Sequence, residues 1–117
     1  MMKEKNDYVF IDSRGYLSDE QLRACRAEAI GVYMVIMLKP GSCLSLADDE
    51  KYAPQLPKPS LQGRLRVFAD YLNEHYPTKD PYQVYRGLRD LHDHGIIEID
   101  GHTLRIAAEH NYVKESE

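Results

Sequence analysis

The clearest alternation of hydrophobic and polar residues lies near the end of the chain. Residues 96–99 and 102–106 alternate on either side of Asp100 and Gly101, a dipeptide that favours a tight turn between antiparallel strands. Successive strand residues point to opposite faces of a sheet, so each run has one apolar face. The pattern predicts a two-stranded β-hairpin.

Two segments before this hairpin have hydrophobic residues at helical spacing. Ser60 begins the first, because its hydroxyl can accept a hydrogen bond from a free backbone N–H. Asp80 begins the second in the same way, with a proline at the first helical position, and Gly95 ends it. The apolar faces comprise Leu61, Leu65, Phe68 and Leu72 in the first segment and Val84, Leu88 and Leu91 in the second. The pattern predicts two helices joined by a tight turn at residues 77–79.

The first third of the chain predicts an extended segment followed by two helical segments. Residues 8–11 are β-prone, and residues 12–15 have the composition of a turn. Ser18 stands before acidic residues, where it would cap a first helix, and helix resumes over residues 28–38. Most positions from 30 to 38 are apolar, which predicts a buried central helix.

A break, a short strand and a loop follow the central helix. Pro40 and Gly41 end the helix, because proline cannot continue the hydrogen-bond ladder. Residues 43–46 alternate briefly and predict a short strand. Residues 47–59 contain three prolines and an acidic triplet, which predicts a flexible surface loop.

Helix, tight turn, helix and hairpin occur here in the order of a winged helix-turn-helix domain. The sequence therefore predicts an α+β, mainly helical fold with a C-terminal two-stranded β-hairpin wing. The length of 117 residues fits a single domain, with an ordered core at about residues 8–107 and a loose tail at residues 108–117. Hydrophobic residues make up 43% of the chain, which is typical of a folded protein.

Charge is unevenly distributed along the chain. The net charge at pH 7 is −4 and the sequence pI is about 5.7, whereas most dedicated DNA-binding domains are basic. Residues 58–89 contain six basic and three acidic side chains, a local balance of +3, so the rest of the chain carries −7. This asymmetry favours a domain with one basic face.

The spacing of cysteines, histidines and other reactive residues along the chain argues against catalysis and metal binding. The length of the apolar stretches argues against membrane insertion. Cys25 and Cys43 lack the spacing of a metal or redox motif and indicate a reducing cytoplasm. The longest uncharged apolar stretch, residues 29–38, is too short to cross a bilayer. His92 and His94 point to different sides of a helix, and no catalytic arrangement or phosphate loop has local support. We therefore expect a cytoplasmic protein that is not an enzyme and holds no cofactor or metal ion.

Two stretches carry a family resemblance. The first is an aromatic opening strand at residues 8–11, followed by residues 27–38, which contain Gly-x-Tyr and a run of aliphatic side chains. The second is residues 88–98, which follow the pattern Leu-x-x-Leu-x-x-x-Gly-Leu-Ile, with Ile96 in place of its last leucine. Both resemble the N-terminal winged-helix domains of phage replisome organisers and related DnaD-like replication initiation proteins. The resemblance covers most of residues 8–106. It implies DNA binding in replication initiation or regulation of a phage or mobile element.

The exposed face of the second helix is the candidate DNA-binding surface. Arginine and glutamine can read base edges by paired hydrogen bonds, and basic side chains can neutralise phosphates. Asp90 and Asp93 on this helix would repel phosphate, so ordinary solvated side chains are the alternative interpretation. The candidates are Tyr82, Gln83, Tyr85, Arg86 and Arg89 for the recognition helix, Lys58, Arg64, Arg66 and Lys79 for phosphates, and His102 and Arg105 in the wing.

A protein-interaction module that does not contact double-stranded DNA is the second function class. Its acidic regions and apolar helices would serve homodimerisation or the capture of a replication or regulatory protein. Inhibition of a nucleic-acid-binding protein through mimicry of DNA charge belongs to the same class. Duplex binding that weakens steeply with salt distinguishes the DNA-binding hypothesis from this one.

Overall fold

The computed structural model describes residues 10–76, 80 and 82–114. This part of the chain is α+β and mainly helical, as predicted, with short antiparallel strands. The helices are α1 (Ser13–Leu17), α2 (Glu20–Arg23), α3 (Ala27–Met37), α4 (Leu61–His75) and α5 (Tyr82–Asp93). The strands are β1 (Phe10–Ile11), β2 (Cys43–Ser45), β3 (Ile97–Asp100), β4 (Thr103–Ile106) and β5 (Val113–Lys114).

Helix α3 is the centre of the core, as its apolar sequence predicts. Tyr33 and Ile36 are completely buried, and α5 packs across this helix. The crossing is close because Gly87 of α5 has no side chain. A Cβ there would lie 3.0 Å from the Glu28 main-chain oxygen and 3.1 Å from Val32 Cγ2. A larger residue at position 87 would therefore push α3 and α5 apart.

The predicted start of α4 and the predicted ends of α5 are confirmed by side-chain and backbone geometry. Ser60 Oγ accepts a hydrogen bond of 2.9 Å from the Gly63 amide. Asp80 Oδ1 accepts one of 3.0 Å from the Tyr82 amide. Gly95 follows α5 with a φ of +74°, a backbone conformation that glycine adopts without a steric penalty.

The C-terminal hairpin forms as predicted but belongs to a larger sheet. The strand order is β2-β4-β3, so the short strand β2 pairs with the outer edge of β4. Asp100 pairs with Thr103, and the turn residues are therefore Gly101 and His102 rather than Asp100 and Gly101. Gly101 has a φ of +61° at the first central position, where a type II′ turn favours glycine.

The helical start of the chain differs from the prediction. Residues 12–15 were expected to form a turn, but Asp12 Oδ1 accepts a hydrogen bond from the Gly15 amide and caps α1. Ser18 does not cap α2: its hydroxyl donates to the Arg14 carbonyl at the end of α1, and Asp19 supplies the cap instead. Of the strand predicted at residues 8–11, residues 8 and 9 lie outside the described residues.

Two segments expected to be loose are held against the core. Residues 108–114 form a 3₁₀ turn at Ala108–His110 and then β5, which pairs antiparallel with β1. Within the segment 47–59, expected to be a flexible surface loop, Tyr52 and Leu56 are buried and a 3₁₀ turn spans Ala53–Gln55. Both outcomes depend on contacts with distant residues, which local composition does not reveal.

Candidate nucleic-acid interface

The outer face of α5 carries a row of polar side chains. Spacings of four, three and four residues place Tyr82, Arg86, Arg89 and Asp93 on one side of the helix. Tyr82, Arg89 and Asp93 are exposed, and Arg86 is half-buried. The other side packs into the core, as the sequence predicts, through Val84, Leu88 and Leu91.

Four arginines from α4, α5 and the residue before α3 lie near Tyr82. Arg26 precedes α3, Arg66 lies on α4, and Arg86 and Arg89 lie on α5. We name these four arginines and Tyr82 the arginine surface. Arg26, Arg86 and Arg89 line one shallow cleft with Tyr82, and the Arg66 guanidinium carbon lies 5.4 Å from the Tyr82 ring centroid. The surface therefore concentrates planar cations, which suit phosphate oxygens and base edges.

Tyrosine rings orient two of these guanidinium groups. The Arg66 Cζ atom lies 4.7 Å from the Tyr85 ring centroid, and the Arg86 Cζ atom lies 5.5 Å from that of Tyr82. The two rings are 5.6 Å apart. Such cation–π contacts restrict an arginine without using its N–H donors. The donors of Arg66 therefore stay available to a ligand.

Arg86 differs from the other arginines because carboxylates hold it on two sides. Its Nη2 lies 3.2 Å from Asp80 Oδ2, and its Nε lies 3.5 Å from Glu28 Oε2. The hydrogen bond to Asp80 raises the pKa of the Arg86 guanidinium. Among the ion pairs of the residues that the structure describes, none involves the remaining arginines of the surface, namely Arg26, Arg66 and Arg89. These three supply its unmatched positive charge.

Two predicted recognition-helix residues differ from Arg89 in their surroundings. Tyr85 is only 8% exposed, so little of its side chain is open to a ligand. Helix geometry turns it toward α4, where it supports Arg66. Gln83 lies beside a separate groove between α3 and α4 rather than in the cleft that Arg26 lines.

Arg26 is a candidate that sequence reasoning missed. It is exposed at the N-cap position of α3, 60 residues before Arg86, and both line the cleft. The packing of α3 on α5 brings the two together. Nothing in the local pattern around position 26 marks this residue, so only the tertiary structure reveals it.

The two aspartates of α5 have different surroundings. Asp90 Oδ2 accepts a hydrogen bond of 2.7 Å from the Arg26 amide, and its side chain is only 17% exposed. This carboxylate therefore satisfies the start of α3 as well as facing the cleft. Asp93 is exposed at the far end of the cleft, where its charge opposes an anionic ligand.

The predicted phosphate-binding residues divide into two groups. Arg66 belongs to the arginine surface, whereas Lys58 and Arg64 line a second cleft with the hairpin turn that contains His102. Arg64 Nη1 donates to the Lys58 main-chain oxygen at 3.0 Å, which ties the start of α4 to the preceding loop. His102 is exposed at the tip of the hairpin. Lys79 lies outside the described residues.

Arg105 sits on the central strand of the sheet. It is half-buried, pairs in register with Glu98, and places Nη1 3.9 Å from the Glu98 carboxylate. Its charge therefore has a partner within ion-pair distance, whereas none of the ion pairs of the described residues involves Arg89.

An apolar groove of about 290 Å³ lies between α3, α4 and the start of α5. Gly31 is exposed in this groove, and a Cβ at Gly31 would meet nothing within 4 Å. The lining comprises Glu28, Gly31, Val32, Val35, Leu72, Tyr76, Gln83 and Val84. The groove offers a largely apolar surface to a partner.

A buried polar cluster joins the start of the described chain to its end. The Asp19 carboxylate accepts hydrogen bonds from the Tyr112 hydroxyl at 2.6 Å and the Leu22 amide at 3.0 Å, and its Oδ2 lies 2.5 Å from His110 Nδ1. The Tyr33 hydroxyl donates to the His110 carbonyl at 2.7 Å. We name these four side chains, Asp19, Tyr33, His110 and Tyr112, the terminal polar cluster.

Titration in the terminal polar cluster follows its burial and hydrogen bonds. Burial opposes ionisation of Asp19, but the hydrogen bonds with Tyr112 and His110 outweigh burial and lower the pKa of this carboxyl. Burial and the Asp19 carboxylate raise the pKa of Tyr112 to about 12. The His110 side chain is only 6% exposed, so its contact with Asp19 joins the start of α2 to residues 108–112 in the interior of the fold.

Comparisons of the chain with models of known families, with curated proteins and with solved structures found no match. Across the residues that the structure describes, none of the helices has the length and apolar character needed to cross a bilayer.

Proposed function

We propose that this chain is a winged-helix protein that binds double-stranded DNA through α5. The order α3, β2, α4, α5, β3, β4 and the strand order β2-β4-β3 support the assignment. In such domains the second helix of the helix-turn-helix enters the major groove, and the hairpin forms the wing. Here α5 is that helix, and β3 and β4 form the wing.

The observation that carries the proposal is the excess of unpaired arginines beside the exposed face of α5. Arg26, Arg66 and Arg89 present cations that are not in ion pairs within the described residues. Arg86 is the exception, since Asp80 and Glu28 neutralise it. Phosphate oxygens of DNA would pair with the other three arginines, which have no carboxylate in an ion pair with them in the part of the chain that the structure describes. Charge-assisted hydrogen bonds between arginine and phosphate are among the strongest that proteins form.

The second cleft extends this interface toward the wing. Lys58, Arg64 and exposed His102 lie along it and would contact the DNA backbone. The acidic neighbour Asp100 limits this contribution. The proposal therefore assigns most of the affinity to the arginine surface.

A salt titration of binding to a labelled duplex tests the proposal. Four phosphate contacts predict that log Kd changes with log salt with a slope of about 3 to 4, which weakens binding about 100-fold between about 50 and about 200 mM salt. Wild-type protein that fails to bind a duplex at the lowest salt concentration would rule the function out.

Alanine variants locate the interface. We expect Arg66→Ala and Arg89→Ala each to weaken duplex binding about tenfold and to reduce the salt slope by about 1. Arg86→Ala should have a smaller effect, because its loss also releases Asp80 and Glu28. Arg23→Ala is the matched control, since Arg23 is exposed on α2 and does not line the cleft. Equal losses in Arg23→Ala and Arg89→Ala would contradict the assigned surface.

The apolar groove favours the alternative function, an interaction or dimerisation module. Exposed Tyr76 and Gly31 lie in a groove lined largely by apolar side chains, which a protein partner could cover. Gly31→Glu places a charge in the groove without a clash in the fold. Light scattering coupled to size exclusion distinguishes the classes: the alternative predicts a dimer that Gly31→Glu dissociates, while the DNA-binding proposal predicts unchanged duplex affinity in this variant.

The proposed biological setting rests on sequence resemblance. Residues 27–38 and 88–98 resemble the winged-helix domains of phage replisome organisers. We therefore propose a role in replication initiation or regulation of a phage or mobile element, with DNA or a replication protein as partner in the cytoplasm. The proposal assigns the chain no catalytic step.

A further inference from the structure

Three metal-ligating side chains meet where the connection between α2 and α3 packs against the end of α5. Cys25 Sγ, a carboxylate oxygen of Asp90 and a ring nitrogen of His94 lie within 4.8 Å of one another. All three residues are half-buried. Tetrahedral zinc with its usual bond lengths separates neighbouring ligand atoms by about 3.3–3.6 Å. Donor atoms 4.8 Å apart would therefore have to approach one another by about 1.2–1.5 Å to share an ion.

We propose that Cys25, Asp90 and His94 bind a zinc ion, with water as the fourth ligand. One sulfur, one nitrogen and one oxygen donor form a set that suits Zn²⁺ better than Mg²⁺ or Ca²⁺, which prefer oxygen alone. His92 is not among these ligands. The site instead pairs His94 with Asp90, four residues earlier and on the same side of α5.

Neighbouring backbone groups already orient two of the ligands. The Arg26 amide donates to Asp90 Oδ2 at 2.7 Å, which leaves Asp90 Oδ1 for the ion. His94 Nδ1 lies 2.9 Å from the Asp90 main-chain oxygen. In the tautomer that donates from Nδ1 to this oxygen, Nε2 is the ring nitrogen with a lone pair for the ion. Fixed outer hydrogen bonds of this kind reduce the ordering that metal binding requires.

The charge balance of the cluster also favours a divalent cation. Without metal, the Cys25 thiol donates to the Gln21 carbonyl at 3.4 Å. Binding replaces the thiol proton by Zn²⁺ and releases that proton to solvent. The thiolate and the Asp90 carboxylate then match the two positive charges of the ion, and His94 binds as a neutral ring.

Exposure allows an ion and a water molecule to reach the site. The side chain of His94 is 32% exposed and that of Asp90 is 17% exposed. Because Cys25 lies before α3 and the other two ligands lie on α5 or just beyond its end, the ion would link segments about 65 residues apart in sequence. The site requires no DNA binding.

Titration of the full chain, free of any polyhistidine tag, with Co²⁺ tests the site. Co²⁺ replaces Zn²⁺ in sites of this type, and a cysteine thiolate ligand gives a charge-transfer absorption band in the near ultraviolet. We expect this band to saturate at one Co²⁺ per chain and to disappear when Zn²⁺ is added. A wild-type chain with no such saturable band would overturn the proposal.

Variants assign the ligands. We expect Cys25→Ser to abolish the band, and His94→Gln to weaken Co²⁺ affinity at least about tenfold. The matched controls are Cys43→Ser and His92→Gln, which change the other cysteine and the neighbouring histidine and should bind as wild type does. Circular dichroism establishes that each variant is folded. A band that survives Cys25→Ser or is lost in Cys43→Ser would refute the assigned ligands.

Discussion

The terminal polar cluster and the arginine surface differ in how their charged side chains are partnered. In the cluster, the 3%-exposed Asp19 side chain is surrounded by Tyr112, His110 and the Leu22 amide. On the arginine surface, tyrosine rings rather than carboxylates support Arg66. A buried charge costs stability unless it is fully partnered, whereas an exposed cation costs little when unpaired. The first region therefore holds the chain together, and the second is available to a partner.

Asp19→Ala should produce the largest loss of stability. It removes a buried acceptor and leaves His110, Tyr112 and the cap of α2 without their partner, which predicts a decrease of about 2–4 kcal/mol in the free energy of unfolding. Urea unfolding measures this decrease. Asp48→Ala, at an exposed aspartate, is the control and should change stability by less than about 0.5 kcal/mol. Similar changes in the free energy of unfolding for the two variants would show that the cluster does not stabilise the fold.

Acid should weaken the same cluster. The pKa of Asp19 is lower in the folded chain than its ordinary value of about 3.9, so its stabilising contribution is fully present above that value. The contribution is lost as pH falls through the lowered folded-state pKa. Unfolding of wild type and Asp19→Asn at a series of pH values measures this. The wild-type advantage should shrink as pH falls below about 3.9, and an advantage that grows below that pH would contradict the sign.

Much of the fold can be predicted from local sequence, but the terminal polar cluster cannot. Ser60, Asp80 and Gly95 act within a few residues of their own positions, so capping rules predict the limits of α4 and α5. Asp19 and His110 are 91 residues apart, and neither has a local pattern that predicts the other. The order of residues 108–114 was missed for this reason.

The candidate site also contains some features that the sequence predicts and others that depend on tertiary packing. Helical periodicity correctly places Arg86 and Arg89 on the outer face of α5, because a single helix determines it. The burial of Tyr85 was not predicted, because it depends on α4 packing beside α5. Arg26 was missed because only the packing of α3 brings it to the cleft. Periodicity describes one helix, whereas a surface made by three helices requires their arrangement.

Arg66→Lys examines what stacking contributes to the arginine surface. Lysine keeps the charge but lacks the planar face that lies over Tyr82 and Tyr85. We expect duplex affinity to fall about threefold with an unchanged salt slope, since the number of phosphate contacts stays the same. Fluorescence anisotropy at several salt concentrations measures both quantities. Arg23→Lys is the control, and equal affinities for Arg66→Lys and wild type would limit the role of Arg66 to charge.

The smallest effect is expected for the ion pair between Glu98 and Arg105. Their side chains are 58% and 43% exposed and the charged atoms are 3.9 Å apart, so water screens the attraction. A double-mutant cycle with Glu98→Gln and Arg105→Ala should give a coupling below about 0.5 kcal/mol in urea unfolding. Duplex affinity of Arg105→Ala should stay within about twofold of wild type, because its charge is already partly matched. A tenfold loss would instead extend the interface from the arginine surface to the central strand of the sheet.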